Sequence, residues 1–239
     1  MSPGALAIVP LGVAAGVLTT LAGQGGGLVL LLALAPIVGP HAALGLTTPA
    51  LFLGNAHRAY LCRAAVDRRL AGLVVLGALH GAYLGGRMAS SASPLFLRLA
   101  LVAVTSLALA KAVGFLKLAV PRVAYAPAGA VIGALAGTSG GAGLLLGPLV
   151  YASGLRGQAF VGTVAVPAVA LHAGRLVAYG AHGLLTVSSL PLAALLALGI
   201  FVGNALADRL RPRLGAHLTT RIELWTLIVC AVLSVVGLV

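Results

Sequence analysis

The chain has 239 residues, 61% of them hydrophobic and 8% charged, with 15 Lys and Arg against 3 Asp and Glu. A soluble domain of this length needs a charged surface about three times denser, so the composition excludes an ordinary soluble enzyme or binding module. The formal charge of +12 would suggest nucleic acid in a soluble protein. Here no basic cluster alternates with aromatic residues, and the basic residues sit between apolar runs, where they read as orientation signals and lipid head-group contacts.

Apolar runs of spanning length recur from end to end without period-two alternation, so the spanning elements are helices, which satisfy every backbone amide internally. In chain order the runs are 5–22, 26–39, 43–62, 70–88 and 94–117, then 125–138, 141–154, 157–180, 188–208 and 216–238. The first run lacks a basic leader, so it reads as a retained helix and not as a signal peptide. The second run of each group of five is short. About 14 residues make roughly 20 Å of helix, against a hydrocarbon core of about 30 Å.

The two groups of five resemble one another. The stretch around 22–32 reads AGQGGGLVLLL and that at 133–146 reads GALAGTSGGAGLLL; GAYLGG at 81–86 matches GIFVGN at 199–204. His57 and Arg58 in one half are answered by His172 and Arg175 in the other. The chain is therefore expected to be an all-α polytopic membrane protein of two repeats. The first covers 1–120 (hairpin 5–39, helices 43–62, 70–88 and 94–117). The second covers 121–239 (hairpin 125–154, helices 157–180, 188–208 and 216–238).

Charge indicates how the copies are oriented. Arg63, Arg68 and Arg69 lie between the third and fourth runs, whereas the equivalent loop 181–187 carries no Lys or Arg. The bias reverses one loop later, with Arg209, Arg211, Arg213 and Arg221 in the second copy. Equivalent loops thus face opposite sides, the mark of an inverted repeat with both termini outside. Each short pair must then return to its starting side, as a re-entrant hairpin or two thin crossings. Fusing each pair into one interrupted helix gives the alternative, eight spans and a parallel repeat.

Chemistry is concentrated at the breaks. At Gln24, Gly25, Gly26 and Gly27, and again at Thr138, Ser139, Gly140 and Gly141, glycine lets the backbone leave the helix and expose amides. Irregular backbone at membrane depth belongs in a protein interior or along a wet cavity. A helix N-terminus follows each break, and its free N–H groups suit an anion. Close helix packing by small residues is the competing explanation. On the long helices that follow, Thr48, Asn55 and Arg58 share a face with Thr47 one position round, while Thr163, His172 and Arg175 answer them in the second copy. Hydroxyls, an amide and guanidinium groups are donors for an oxyanion. Arg58 and Arg175 could instead reach out to lipid head groups, and Asn204 reads as a bond between helices.

The acids Asp67, Asp208 and Glu223 all sit beside basic residues near helix ends, so no mid-span carboxylate offers a proton relay or sodium cage. Cys62 and Cys230 lack metal-ligand spacing. No cofactor or metal is expected; the partners are a small anion and lipid, with a homodimer open to the chain.

In the stretches 15–34, 44–55 and 137–163 the sequence resembles the TauE/SafE sulfite exporter family of anion transporters, over essentially its whole length. The resemblance implies a bacterial inner-membrane carrier of sulfite, organosulfonates or related organic anions, with Gly25–Gly27, Gly140–Gly143, Thr47, Thr48 and Thr163 at its site. Two other functions fit parts of the pattern. A passive anion channel could share the architecture. An intramembrane serine protease could use Ser139 as nucleophile with His172 as base, although the first copy has no serine at the matching turn.

Overall fold

The computed structural model describes residues 3–23, 25–113, 115, 121–215 and isolated positions between 218 and 232. It is all-helical: α1 (Pro3–Ala22), α2 (Gly26–Val38), α3 (Pro40–Leu61), α4 (Arg68–Ser91), α5 (Pro94–Ala112), α6 (Tyr125–Ser139), α7 (Leu146–Tyr151), α8 (Gly157–Ala181) and α9 (Leu190–Leu210), joined in places by short 3-10 turns. The expected helix 216–238 lies outside the continuously described residues. Arg68–Ser91, Gly157–Ala181 and Val187–Arg213 are each long and apolar enough to cross a bilayer. Large apolar side chains such as Ile37, Leu76, Leu84 and Val202 face outward, as a surface solvated by lipid acyl chains requires. The chain is a multi-pass membrane protein.

Local sequence explains the two short arms. Gly23 and Gly25 take φ of 76° and 98°, values that a side chain would strain, and the chain reverses there. Gly26 comes back against Ala15 and Thr19, so α2 doubles along α1 as a hairpin. Thirteen residues of α2 reach about 20 Å, short of a full crossing. A single residue, Gly39 at φ 84°, then turns the chain into α3.

The matching second arm differs from the run expected at 141–154. Ala142–Leu145 is a 3-10 turn and only Leu146–Tyr151 is α-helical. Glycines at 140, 141 and 143 are weak helix formers, and Pro148 has no N–H to complete the first α-turn.

Packing pairs the two halves reciprocally: α4 packs on α6 as α9 packs on α1, α4 on α8 as α9 on α3, and α3 lies directly on α8. The contacts also give directions. Gly77, Gly81 and Gly85 of α4 press in turn against the backbone at Ala126, Ala130 and Ala134 of α6, so these helices run parallel. Gly12 and Gly16 of α1 meet Leu196 and Ile200 of α9 in the same sense. By contrast, Gly45 near the start of α3 meets Leu184 just past the end of α8, and Gly162 near the start of α8 meets Cys62 at the end of α3. Helices α3 and α8 are antiparallel. Asn204 ties three helices together, donating from Nδ2 to the Gly54 carbonyl (2.8 Å) and accepting from the Thr20 hydroxyl (2.9 Å).

Candidate functional site

Where the two hairpin tips meet α3 and α8 there is a cavity of about 50 Å³. Gly23, Gly25 and Gly27 line it from the first arm, and Gly140, Gly141 and Gly143 from the second. Asn55 and Arg58 enter from α3 and His172 from α8, while Leu28, Leu51, Leu144, Val164, Ala168 and Leu171 supply apolar wall. One water needs roughly 10–15 Å³ by this measure, so the space suits roughly three to five water-sized groups, the scale of a small oxyanion. At the mouth of α2 the first helical bonds are Leu28 N–H and Val29 N–H to the Gly25 carbonyl, both 3.0 Å. The N–H groups of Gly26 and Gly27 precede them and have no partner within the helix.

Arg58 is 2% exposed. Its Nη1 donates to the carbonyls of Thr19 (2.6 Å) and Gly23 (3.2 Å), and its Nη2 to Asn55 Oδ1 at 2.7 Å. The two carbonyls belong to the last turn of α1 and the residue just after it, the acceptor-rich end of a helix, where a guanidinium is favourably placed. Asn55 is oriented in turn by donating from Nδ2 to the Leu51 carbonyl at 2.7 Å. The Nε of Arg58 has no partner.

Arg175, 1% exposed, repeats the theme from α8. Its Nε donates to Tyr179 Oη (3.3 Å), which itself donates to the Gly137 carbonyl (2.6 Å) at the end of α6. Its Nη1 lies 3.3 Å from His172 Nδ1, and its Nη2 is unpartnered. Both arginines are thus buried and hold the carbonyl ends of hairpin helices. Neither reaches a lipid head group, and neither is paired with a carboxylate among the described residues. A buried charge left unpaired is costly, and an anion entering the cavity would balance it. At about 4 Å and an effective dielectric near 20, one such attraction is about 4 kcal/mol.

Not every residue singled out in the sequence lines this space. Gly25, Gly27, Asn55, Arg58, Gly140, Gly141 and His172 do. Thr47 and Thr48 donate to the carbonyls of Ala43 (2.8 Å) and Leu44 (2.6 Å) within α3. Thr163 accepts from the Asp67 N–H at 2.9 Å, near the start of α8. Thr138 and Ser139 both donate to Leu135 O, and Ser139 Oγ accepts from the Gly141 N–H. Ser139 and His172 are not hydrogen-bonded to each other. Gly26 packs on α1, Arg175 stands behind His172, and Gln24 lies outside the described residues. Thr19 and Gly23 and the apolar wall went unnamed from sequence. Their signal was spacing, since Val164, Ala168, Leu171, His172 and Arg175 recur at helical intervals on one face.

The family described as Sulfite exporter TauE/SafE matches residues 8–235 of the chain. No curated protein and no solved structure matches it. A family match over nearly the whole length, on an all-helical membrane fold, identifies the chain: it belongs to the TauE/SafE sulfite exporter family and is a membrane transporter.

Proposed function

We propose that the protein exports a small anion, with sulfite the best-fitting member of the class that also includes organosulfonates, and that the cavity between the hairpin tips is its binding site. One observation carries this reading. The buried Arg58 guanidinium, which has no carboxylate partner, lines a space of oxyanion size together with two glycine-rich turns and His172, and the equally buried Arg175 stands directly behind His172. The volume of about 50 Å³ favours a compact inorganic oxyanion over a longer organosulfonate. A bacterial inner membrane is the setting that the family resemblance suggests.

The site lies where the two halves meet, which suits a carrier built as an inverted repeat. In support, the proposed counterparts α3 and α8 run antiparallel, and the contacts of α4 with α6 mirror those of α9 with α1. In a parallel repeat those counterparts would run in the same direction. Alternating access then follows from rocking of one half-assembly against the other around the bound anion.

Proteoliposome counterflow tests the proposal. Preloaded unlabelled sulfite should drive transient accumulation of labelled sulfite, and uptake should saturate. Conduction that neither saturates nor shows counterflow would favour a passive channel and sink the carrier mechanism.

A further inference from the structure

The contact between Arg175 and His172 has a consequence for the proton inventory of the cavity, and it rests on the reading of that cavity as an anion site. A guanidinium has five N–H donors and no acceptor, and it does not deprotonate in proteins. At 3.3 Å from Arg175 Nη1, His172 Nδ1 must therefore be the acceptor, with its lone pair directed at the arginine. The ring proton is then on Nε2. That nitrogen has no hydrogen-bond partner among the described residues, and His172 lines the cavity.

We propose that Arg175 is a positioning residue that locks His172 as a neutral Nε2–H donor to the bound anion, so that the site takes up no proton when it loads. Protonating Nδ1 would place two N–H groups and two positive charges face to face. Arg175 contacts His172 from α8 itself, and Arg58 enters the same cavity from α3; among the described residues the cavity lining contains no carboxylate. Both neighbours are cations, so no carboxylate stands by to stabilise an imidazolium. The charge of the site stays with the two guanidinium groups, and the anion is recognised in its fully ionised form. Histidine serves here as a directional donor, although its ordinary pKa of about 6.5 would suit it to a proton switch.

Nitrogen-15 spectra of histidine-labelled protein in nanodiscs read the tautomer directly, with the His172 signals assigned by their absence from H172Q. The expected result is an Nε2–H tautomer that does not titrate between about pH 5.5 and 8. Affinity for thiosulfate, which stays dianionic over that range, should change by less than about twofold. In R175Q the lock is gone, and thiosulfate affinity should rise on acidification, by at most about tenfold per pH unit for one linked proton. An Nδ1–H tautomer or an imidazolium in the wild-type spectrum overturns the proposal, and a flat profile in folded R175Q overturns the role of Arg175. If R175Q does not fold, the wild-type spectrum decides. Failure of sulfite, sulfate and thiosulfate all to bind at any pH sinks the anion-site reading instead, whatever the tautomer.

Discussion

Replacing Arg58 separates its two functions, charge and directed donation. In the wild type, three hydrogen bonds hold the guanidinium to Thr19, Gly23 and Asn55, and Nε is a buried donor without a partner on a residue that lines the cavity. Arg58→Lys keeps the charge, and an ammonium can still serve the two carbonyls, but the extra donor is lost. A hydrogen bond to a charged group contributes about 1.5–3 kcal/mol, so anion affinity should fall by about 10- to 150-fold. Arg58→Gln removes the charge as well. With about 4 kcal/mol of attraction at stake at an effective dielectric near 20, affinity should fall by up to roughly a thousandfold more. Stability should drop too, because the carbonyls ending α1 lose their donor at about 1–3 kcal/mol each where water does not replace it. The assay is calorimetric titration of purified protein with sulfite, alongside thermal melting to establish that each variant is folded. A folded Arg58→Gln protein that binds sulfite within about twofold of wild type would refute the assignment of Arg58 to the site.

Other substitutions probe the framework and the site's boundary. Gly81→Val should destabilise the fold by more than about 3 kcal/mol, since a side chain there collides with the Ala130 carbonyl of α6 and backbone cannot yield as a side chain can; loss of a monodisperse peak in size-exclusion chromatography reports it. Gly72→Ala on the same helix meets nothing within 4 Å and should be neutral or stabilising by up to about 1 kcal/mol, read as an unchanged or raised melting temperature. Thr48→Val should leave anion affinity within about twofold because its hydroxyl is spent on Leu44, whereas Asn55→Leu, which frees the Arg58 fork, should weaken binding by about tenfold or more. Tyr179→Phe removes the group joining Arg175 to Gly137. It should cost about 1–2 kcal/mol of stability, measured by thermal melting.

The hairpins were readable in the sequence because backbone chemistry is local. Clustered glycines at Gly25 and Gly140 announce positive φ whatever surrounds them, and the structure has 98° and 75° there. Composition likewise announced the all-helical membrane fold. The arginines were harder. Arg58 and Arg175 sit near the ends of apolar runs, where a long side chain can bend to head groups or turn inward with equal ease. Which way it turns depends on carbonyls contributed by α1 and, through Tyr179, by α6, and a single segment does not reveal those. For the threonines, a hydroxyl at Thr47 or Thr48 looks like a ligand donor from sequence, and the structure has each donating to the carbonyl four residues back, which within a helix is always in reach. The truncated α7 follows from Gly143 and Pro148 acting together on the first helical turn, an effect that neither residue announces alone.

The interleaving of α1 with α9 and of α4 with α6 bears on how the protein is made. Helix α1 meets its glycine-lined partner α9 only after nearly the whole chain has been made; Thr20 finds Asn204 across 184 residues of chain. While the ribosome is still producing the second half, the groove on α1 lies open to lipid, with little to hold that helix in register. Insertion can therefore proceed helix by helix, but the bundle closes only near the end of translation. A chain released early would leave the membrane with unzipped helices, a form that quality-control proteases can recognise.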